Sequence, residues 1–283
     1  MAVSKLLTRT CNEAGNSRWT WATTTPGSRP DHTEIRAVLG WRTLRTGSLY
    51  MAVNPHVRDG GGFHEMRLDP SAPLAPNLED SVLILPSMVS AGECAHMISA
   101  ADLWCASNPT CNAPNNHLND YHRRHGLTRV ECHTDGLNLD GRTHALARII
   151  LARTLWYLES LRPHDAYHIF KQRASLGDMI FTFSGHEPAI NVYTAGGEFE
   201  PHEDKHMLTV LVSLSPLDAF EGGGTAFWSE RAERVGGLGG EPSLMLRPEP
   251  GTAILWTGQI THAGLPVISG RRHVFVCSFN LRA

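Results

Sequence analysis

Tyr193-Thr-Ala-Gly-Gly-Glu-Phe-Glu-Pro-His-Glu-Asp204 joins two stretches that read as strands, Ala189-Ile-Asn-Val-Tyr193 and Met207-Leu-Thr-Val-Leu-Val-Ser-Leu214. The Gly196-Gly197 pair is a turn signal, and β-branched residues on both sides favour extended backbone. The same rhythm continues to the C-terminus. Thr225-Ala-Phe-Trp228, Thr252-Ala-Ile-Leu-Trp256 and His273-Val-Phe-Val-Cys-Ser-Phe279 read as strands, punctuated by Gly222-Gly-Gly224 and Gly236-Gly-Leu-Gly-Gly240. Upstream the pattern is helical. Ala145, Ile149, Leu151, Leu155 and Leu158 recur with helical spacing in a segment that starts at Asp140 and stops before Pro163. Ser90-Ala-Gly-Glu93 has the form of a capping box and opens a helix over about 91–102, with Cys94, Met97, Ile98 and Ala101 on one face. Ser81-Val-Leu-Ile-Leu-Pro86 is a short buried strand before it. Helices followed by closely spaced strands make an α+β chain, with N-terminal helices supporting a jelly roll.

The boundaries follow from composition. Residues 1–78 carry many turn formers and read as an N-terminal extension wrapping the main domain, with possible strands at Val38-Leu-Gly-Trp41 and Ser48-Leu-Tyr-Met-Ala-Val53. Residues 79–283 form the main domain. Within it the polar stretch 107–139 reads either as a lid or binding loop or as an insertion. The net charge of −3 lacks the basic footprint of a nucleic-acid-binding domain. No run of 18 apolar residues is present to span a membrane. None of the six cysteines forms a Cys-x-x-Cys pair, so free thiols in a reducing compartment are expected, although a disulfide among Cys105, Cys111 and Cys132 stays open. A cytoplasmic location is the expectation. The composition of Met1 to Pro30 also has some character of an organellar transit peptide.

His202 and Asp204 are followed by His262, 58 residues on (262 − 204), and by Arg272, another 10 on (272 − 262). Two imidazoles and a carboxylate with open positions opposite form the facial triad of non-heme Fe(II) sites. A second His-x-Asp, His133-Thr-Asp135, lies in the polar stretch and precedes a helix, whereas rigid sites want ligands on rigid elements. For the third ligand, His206 is too near Asp204, and His273 follows Arg271-Arg272 in a dense positive field. His262 ends a stretch that returns to the mouth of the sandwich. The spacing of His117, His122, His125 and His133 suits no common zinc module.

With these residues in place, the chain resembles the prolyl 4-hydroxylase-like branch of the Fe(II)/2-oxoglutarate dioxygenases. The resemblance rests on Tyr193-x-x-Gly-Gly-x-Phe-x-Pro-His202-x-Asp204, Glu221-Gly-Gly-Gly-Thr225-x-Phe227, Pro248-x-x-Gly251 and His262-Ala-Gly-Leu-Pro266-Val267-x-x-Gly270-x-Arg272, and it spans about 81–280. It implies a double-stranded β-helix with Fe(II) on His202, Asp204 and His262. It also implies that 2-oxoglutarate pairs its far carboxylate with Arg272, with Tyr193 and Asn191 as further co-substrate contacts. The implied reaction hydroxylates an unactivated C–H bond with O2, converts 2-oxoglutarate to succinate and CO2, and uses ascorbate as a possible reductant. A protein side chain such as proline or a small metabolite is the expected substrate. Where several relatives carry a tyrosine that touches the co-substrate carboxylate, this chain has Ser213. Two other readings compete. A nucleic-acid demethylase of the same superfamily would share Asn191-Val-Tyr193, but tends to carry a second arginine where this chain has Ser278. A non-catalytic binding module would keep the sandwich and lose the chemistry.

Overall fold

The computed structural model describes residues 81–108, 126–132, 140–161, 166–167, 169–170, 180–228, 242 and 244–282, together with the backbone of four earlier strands. Those four are β1 (Lys5–Cys11), β2 (Ser17–Thr23), β3 (Leu49–Val53) and β4 (His64–Leu68). The order then runs β5 (Ser81–Leu85), α1 (Ala91–Ser107), β6 (Leu127–Glu131), α2 (Gly141–Leu161), β7 (Ile180–Phe183), β8 (Ala189–Tyr193), β9 (Phe199–His202) and β10 (Leu208–Ser213). It ends with β11 (Phe220–Gly222), β12 (Thr225–Trp228), β13 (Leu244–Leu246), β14 (Ala253–Trp256), β15 (Thr261–Gly264), β16 (Val267–Gly270) and β17 (Arg272–Arg282).

The larger sheet has the order β4-β3-β5-β14-β10-β17-β8-β6, with β7 also on β17; the smaller runs β13-β12-β15-β9, and β11 pairs with β16. Its strand pairings are antiparallel. This is the architecture of a jelly-roll double-stranded β-helix. The expected strand at 48–53 corresponds to β3, which joins the larger sheet beside β5. Inside the stretch 107–139 the chain forms β6, paired with β8 through Leu127↔Tyr193 and Arg129↔Asn191. Residues 109–125 and 133–139, including His133-Thr-Asp135, lie outside the described residues, as does Val38–Trp41.

Strand periodicity divides the larger sheet between two interiors. Leu83 and Leu85 of β5, Ile190 and Val192 of β8, Leu208, Val210 and Val212 of β10, and Phe275, Cys277 and Phe279 of β17 pack with Cys94, Met97 and Ala101 of α1 and Ile150, Leu151, Leu155 and Leu158 of α2. The alternate residues turn toward the smaller sheet. Val82, Tyr193, Leu211, Ile254, Trp256 and Val274 join Phe227 and Val267 there. Two-sided burial explains why these strands read as continuous apolar runs rather than alternating ones. Cys94, Cys105, Cys132 and Cys277 are free thiols, while Cys11 and Cys111 lie outside the described residues.

The helices are anchored by specific polar contacts. Ser90 and Glu93 form the capping box of α1, which runs one turn beyond the expected 102. Asp140 caps α2, accepting from Thr143 N at 2.8 Å. Buried Arg153 of α2 donates to Glu93 Oε1 at 2.8 Å and to Met88 O at 2.9 Å, tying α2 to the start of α1. Removing one partner of a buried ion pair strands the other. Arg153→Met is therefore expected to cost about 3 kcal/mol of stability in urea unfolding, against about 1 kcal/mol for Ser90→Ala. Equal losses would show that the pair adds nothing beyond the cap.

Candidate active site

The two strands β9 and β15 place His202 directly opposite His262. Their rings lie 4.3 Å apart between centroids. Asp204 follows β9 and reaches both: Oδ1 is 3.5 Å from His202 Nε2, and Oδ2 is 3.5 Å from His262 Nε2. One ligand atom from each of the three falls within 4.8 Å of the others. The loop after Asp204 is pinned by Lys205 N to Gly258 O at 2.9 Å and by Gly258 N to His206 O at 2.9 Å. A Cβ at Gly258 would sit 2.3 Å from the His206 backbone, so only glycine allows this approach.

The donor set fits a divalent metal. His202 Nδ1 lies 2.7 Å from Glu200 O, and His262 Nδ1 lies 3.0 Å from Ile260 O. A carbonyl accepts only from N–H, so each ring carries its proton on Nδ1 and turns the Nε2 lone pair toward Asp204. Burial opposes ionisation of Asp204, but His262, His202 and the Thr209 hydroxyl outweigh it and hold the carboxyl well below the usual range. Burial lowers the His262 pKa to about 4, with Asp204 pulling the other way. Two neutral imidazoles and one anion are what a hard-to-borderline metal ion requires.

Arg272 opens β17, opposite Tyr193 of β8. Its residue is 3 % exposed, its Nη2 donates to Thr225 Oγ1 at 3.0 Å, and the guanidinium carbon lies 5.1 Å from the centre of the Tyr193 ring. Among the described residues no carboxylate pairs with it. Gly223, at φ +65°, makes room, because a Cβ there would sit 3.1 Å from Arg272 Cδ. A buried guanidinium without an anion is costly, and its fork matches a carboxylate. The site therefore fits a carboxylate ligand such as 2-oxoglutarate. Ser213 lies on the same strand face as Leu211 and is buried, with its own N–H bonded to Thr252 O.

Asn191, Tyr193, His202, Asp204, His262 and Arg272 all line one cavity. Thus every candidate site residue is brought together, while His206 and His273 are not on its wall. His273 points to the helix side, 2.9 Å from Asp102 Oδ1 and 3.0 Å from Ser215 Oγ. Sequence reasoning did not anticipate Arg129, Glu187, Thr209 or Ser278 as neighbours of the site. Thr209 Oγ1 donates to Asp204 Oδ2 and lies 3.1 Å from Ser278 Oγ. Strand parity could have found Thr209 and Ser278, which share a face with Leu211 and Arg272 respectively. No sequence signal pairs Arg129 with Glu187.

A family model described as the 2OG-Fe(II) oxygenase superfamily matches residues 188–280. This part of the chain is similar to that superfamily. The match holds all three triad residues and Arg272. Proteins of the 2OG-Fe(II) oxygenase superfamily are oxidoreductases. No curated protein matches the chain in sequence. Among solved structures, a Pseudomonas putida prolyl-4-hydroxylase is 12 % identical, with 71 % of this chain and 93 % of that chain covered and a TM-score of 0.43. A Burkholderia pseudomallei oxidoreductase of the 2OG-Fe(II) oxygenase family is 17 % identical over 70 % of this chain and 83 % of its own, at a TM-score of 0.39. A Trichoplax adhaerens prolyl hydroxylase, solved with a hypoxia inducible factor peptide fragment, is 13 % identical over 70 % and 82 %, at 0.41.

The electrostatics of this site yield a titration. In the metal-free protein the His262 imidazole is expected to titrate near 4 by NMR, against 6.5 for an unperturbed ring. Asp204→Asn removes the charge that favours protonation and should lower that midpoint further. The unfolded chain takes this proton below about 6.5, and the folded chain only near 4. The associated stability is thus present above pH 6.5 and is lost as pH falls through 4. A midpoint above 6 would contradict the burial of His262.

Proposed function

We propose that the chain is a 2-oxoglutarate-dependent hydroxylase. His202, Asp204 and His262 would hold Fe(II), and Arg272, with Tyr193 and Asn191, would hold 2-oxoglutarate. The observation that carries this reading is the buried, carboxylate-free Arg272 in the same cavity as two metal-ready imidazoles and an ionised aspartate. When bound, Fe(II) supplies the activation of O2 that no side chain provides.

The protein's own contribution is positioning. The cross-strand pairs His202↔His262 and Tyr193↔Arg272 set metal ligands and carboxylate anchor on rigid strands. Tyr193 lines the cavity beside Arg272 and offers its hydroxyl to the ligand held there. Phe199, Leu211, Trp256 and Val276 supply apolar walls that keep water from the reacting atoms. The balanced reaction takes a C–H substrate, O2 and 2-oxoglutarate to the alcohol, succinate and CO2. One oxygen atom enters the alcohol and the other enters succinate. The substrate is a protein side chain such as proline or a small metabolite.

With Fe(II) and 2-oxoglutarate, the protein should form succinate even without a second substrate. His202→Ala should abolish it, and Arg272→Met should raise the KM for 2-oxoglutarate by at least tenfold, the loss of one charged hydrogen-bonded pair. Equal succinate from wild type and His202→Ala, measured by mass spectrometry, would overturn the reading.

A further inference from the structure

The cavity holds a second arginine. Arg129 of β6 is 12 % exposed and lines the cavity with Glu187, which is 5 % exposed, and Asn191, which is 4 % exposed. Arg129 Nε donates to Asn191 Oδ1 at 3.0 Å, and its Nη1 donates to Glu187 Oε1 at 3.2 Å. These two bonds fix the plane of the guanidinium. The other oxygen of Glu187, Oε2, accepts from Ser278 N. What remains is a set of donors. Arg129 Nη2 and Asn191 Nδ2 have no partner among the described residues, and neither is sealed away from solvent space.

Register sets this donor pair two residues along β8 from the Tyr193–Arg272 pair. Asn191 and Tyr193 occupy the same face of β8 two residues apart, and Arg272 faces Tyr193. Ser278 lies six residues along β17 from Arg272 (278 − 272), roughly 20 Å between Cα atoms at 3.3 Å per residue. Glu187 is bonded to Ser278, and Thr209 links Ser278 to Asp204. Glu187 therefore lies on the Asp204 side of the triad, and Arg129, opposite Asn191, lies between it and the Arg272 end. A buried Arg–Glu pair is a poor source of stability compared with apolar packing. Its value here is a guanidinium held in one orientation with an open edge.

We infer that Arg129 and Asn191 form a second carboxylate-binding subsite, oriented by Glu187, within the active-site cavity. Glu187 is a positioning residue and makes no contact with the ligand. The subsite takes one carboxylate, either the keto-acid end of the co-substrate or the acid group of the molecule to be hydroxylated. The inference rests on the reading of the cavity as a 2-oxoglutarate site, and it moves Asn191 from the carboxylate held by Arg272 to the one beside Arg129.

The test is calorimetric and independent of turnover. Protein loaded with Mn(II) under nitrogen is titrated with 2-oxoglutarate, and the saturated complex is then titrated with propionate as a bare carboxylate probe. Arg129→Met leaves Glu187 buried without its cation, so the double variant Arg129→Met/Glu187→Gln is titrated as well, with Arg129→Lys as the conservative variant. A tenfold or greater rise in the Kd of 2-oxoglutarate, smaller in Arg129→Lys, assigns the subsite to the co-substrate. A Kd within twofold, together with loss of the propionate binding seen in wild type, assigns it to the second molecule. No change for either ligand overturns the inference and leaves Arg129 as a strap between β6 and β8. Arg272→Met separates the two readings. If it alone weakens 2-oxoglutarate and the Arg129 variants bind propionate as wild type does, the function stands and the subsite falls. If it does not, the assignment of Arg272 falls instead.

Discussion

Two-sided burial of the larger sheet governs everything that follows from it. Each of its central strands has one face against α1 and α2 and the other against the smaller sheet. Neither face meets bulk water, so a side chain's parity along the strand decides its chemistry. Even positions of β17 turn Arg272, Val274, Val276 and Ser278 away from the helices, with Arg272 and Val276 on the cavity wall, and odd positions put Phe275, Cys277 and Phe279 into the helix-side core. The hydrophobic pattern thus does double duty. It drives collapse, and the same alternation aims the few polar residues at a common space.

The smaller sheet contributes differently. Its strands are short, and β9 is only half-buried, yet it carries His202 against His262. Precision there comes from antiparallel register and from carbonyls that set each imidazole tautomer. Among the described residues, none from α1 or α2 lines the cavity. Their part is to cover the far face of the larger sheet, and the Arg153–Glu93 pair holds them to one another.

Legibility in the sequence tracks how much apolar content each element carries. β8, β10, β12, β14 and β17 are readable because buried strands are runs of β-branched and aromatic residues. β9, β11, β13, β15 and β16 are not, since three or four residues such as Phe-Glu-Pro-His carry no period. The proximity of His202, Asp204, His262 and Arg272 is legible because their spacing is tied to motifs at turns. Arg129 is illegible for the opposite reason. It sits in a polar stretch, and only the β6–β8 register brings it to Asn191. Glu187 precedes a strand with nothing to distinguish it from a surface acid.

The parity of β17 has an evolutionary consequence. Replacing one of its residues changes one contact with one interior. Inserting or deleting a single residue ahead of Arg272 changes all of them, because it exchanges the two faces of the strand. The guanidinium would then turn into the helix-side core, and His273 would turn to the cavity. Lineages of this chain can therefore drift in the strand by exchange of side chains, while changes of length are confined to the turns on either side. Relatives should keep the distance from His262 to Arg272 even where little else in the sequence is retained.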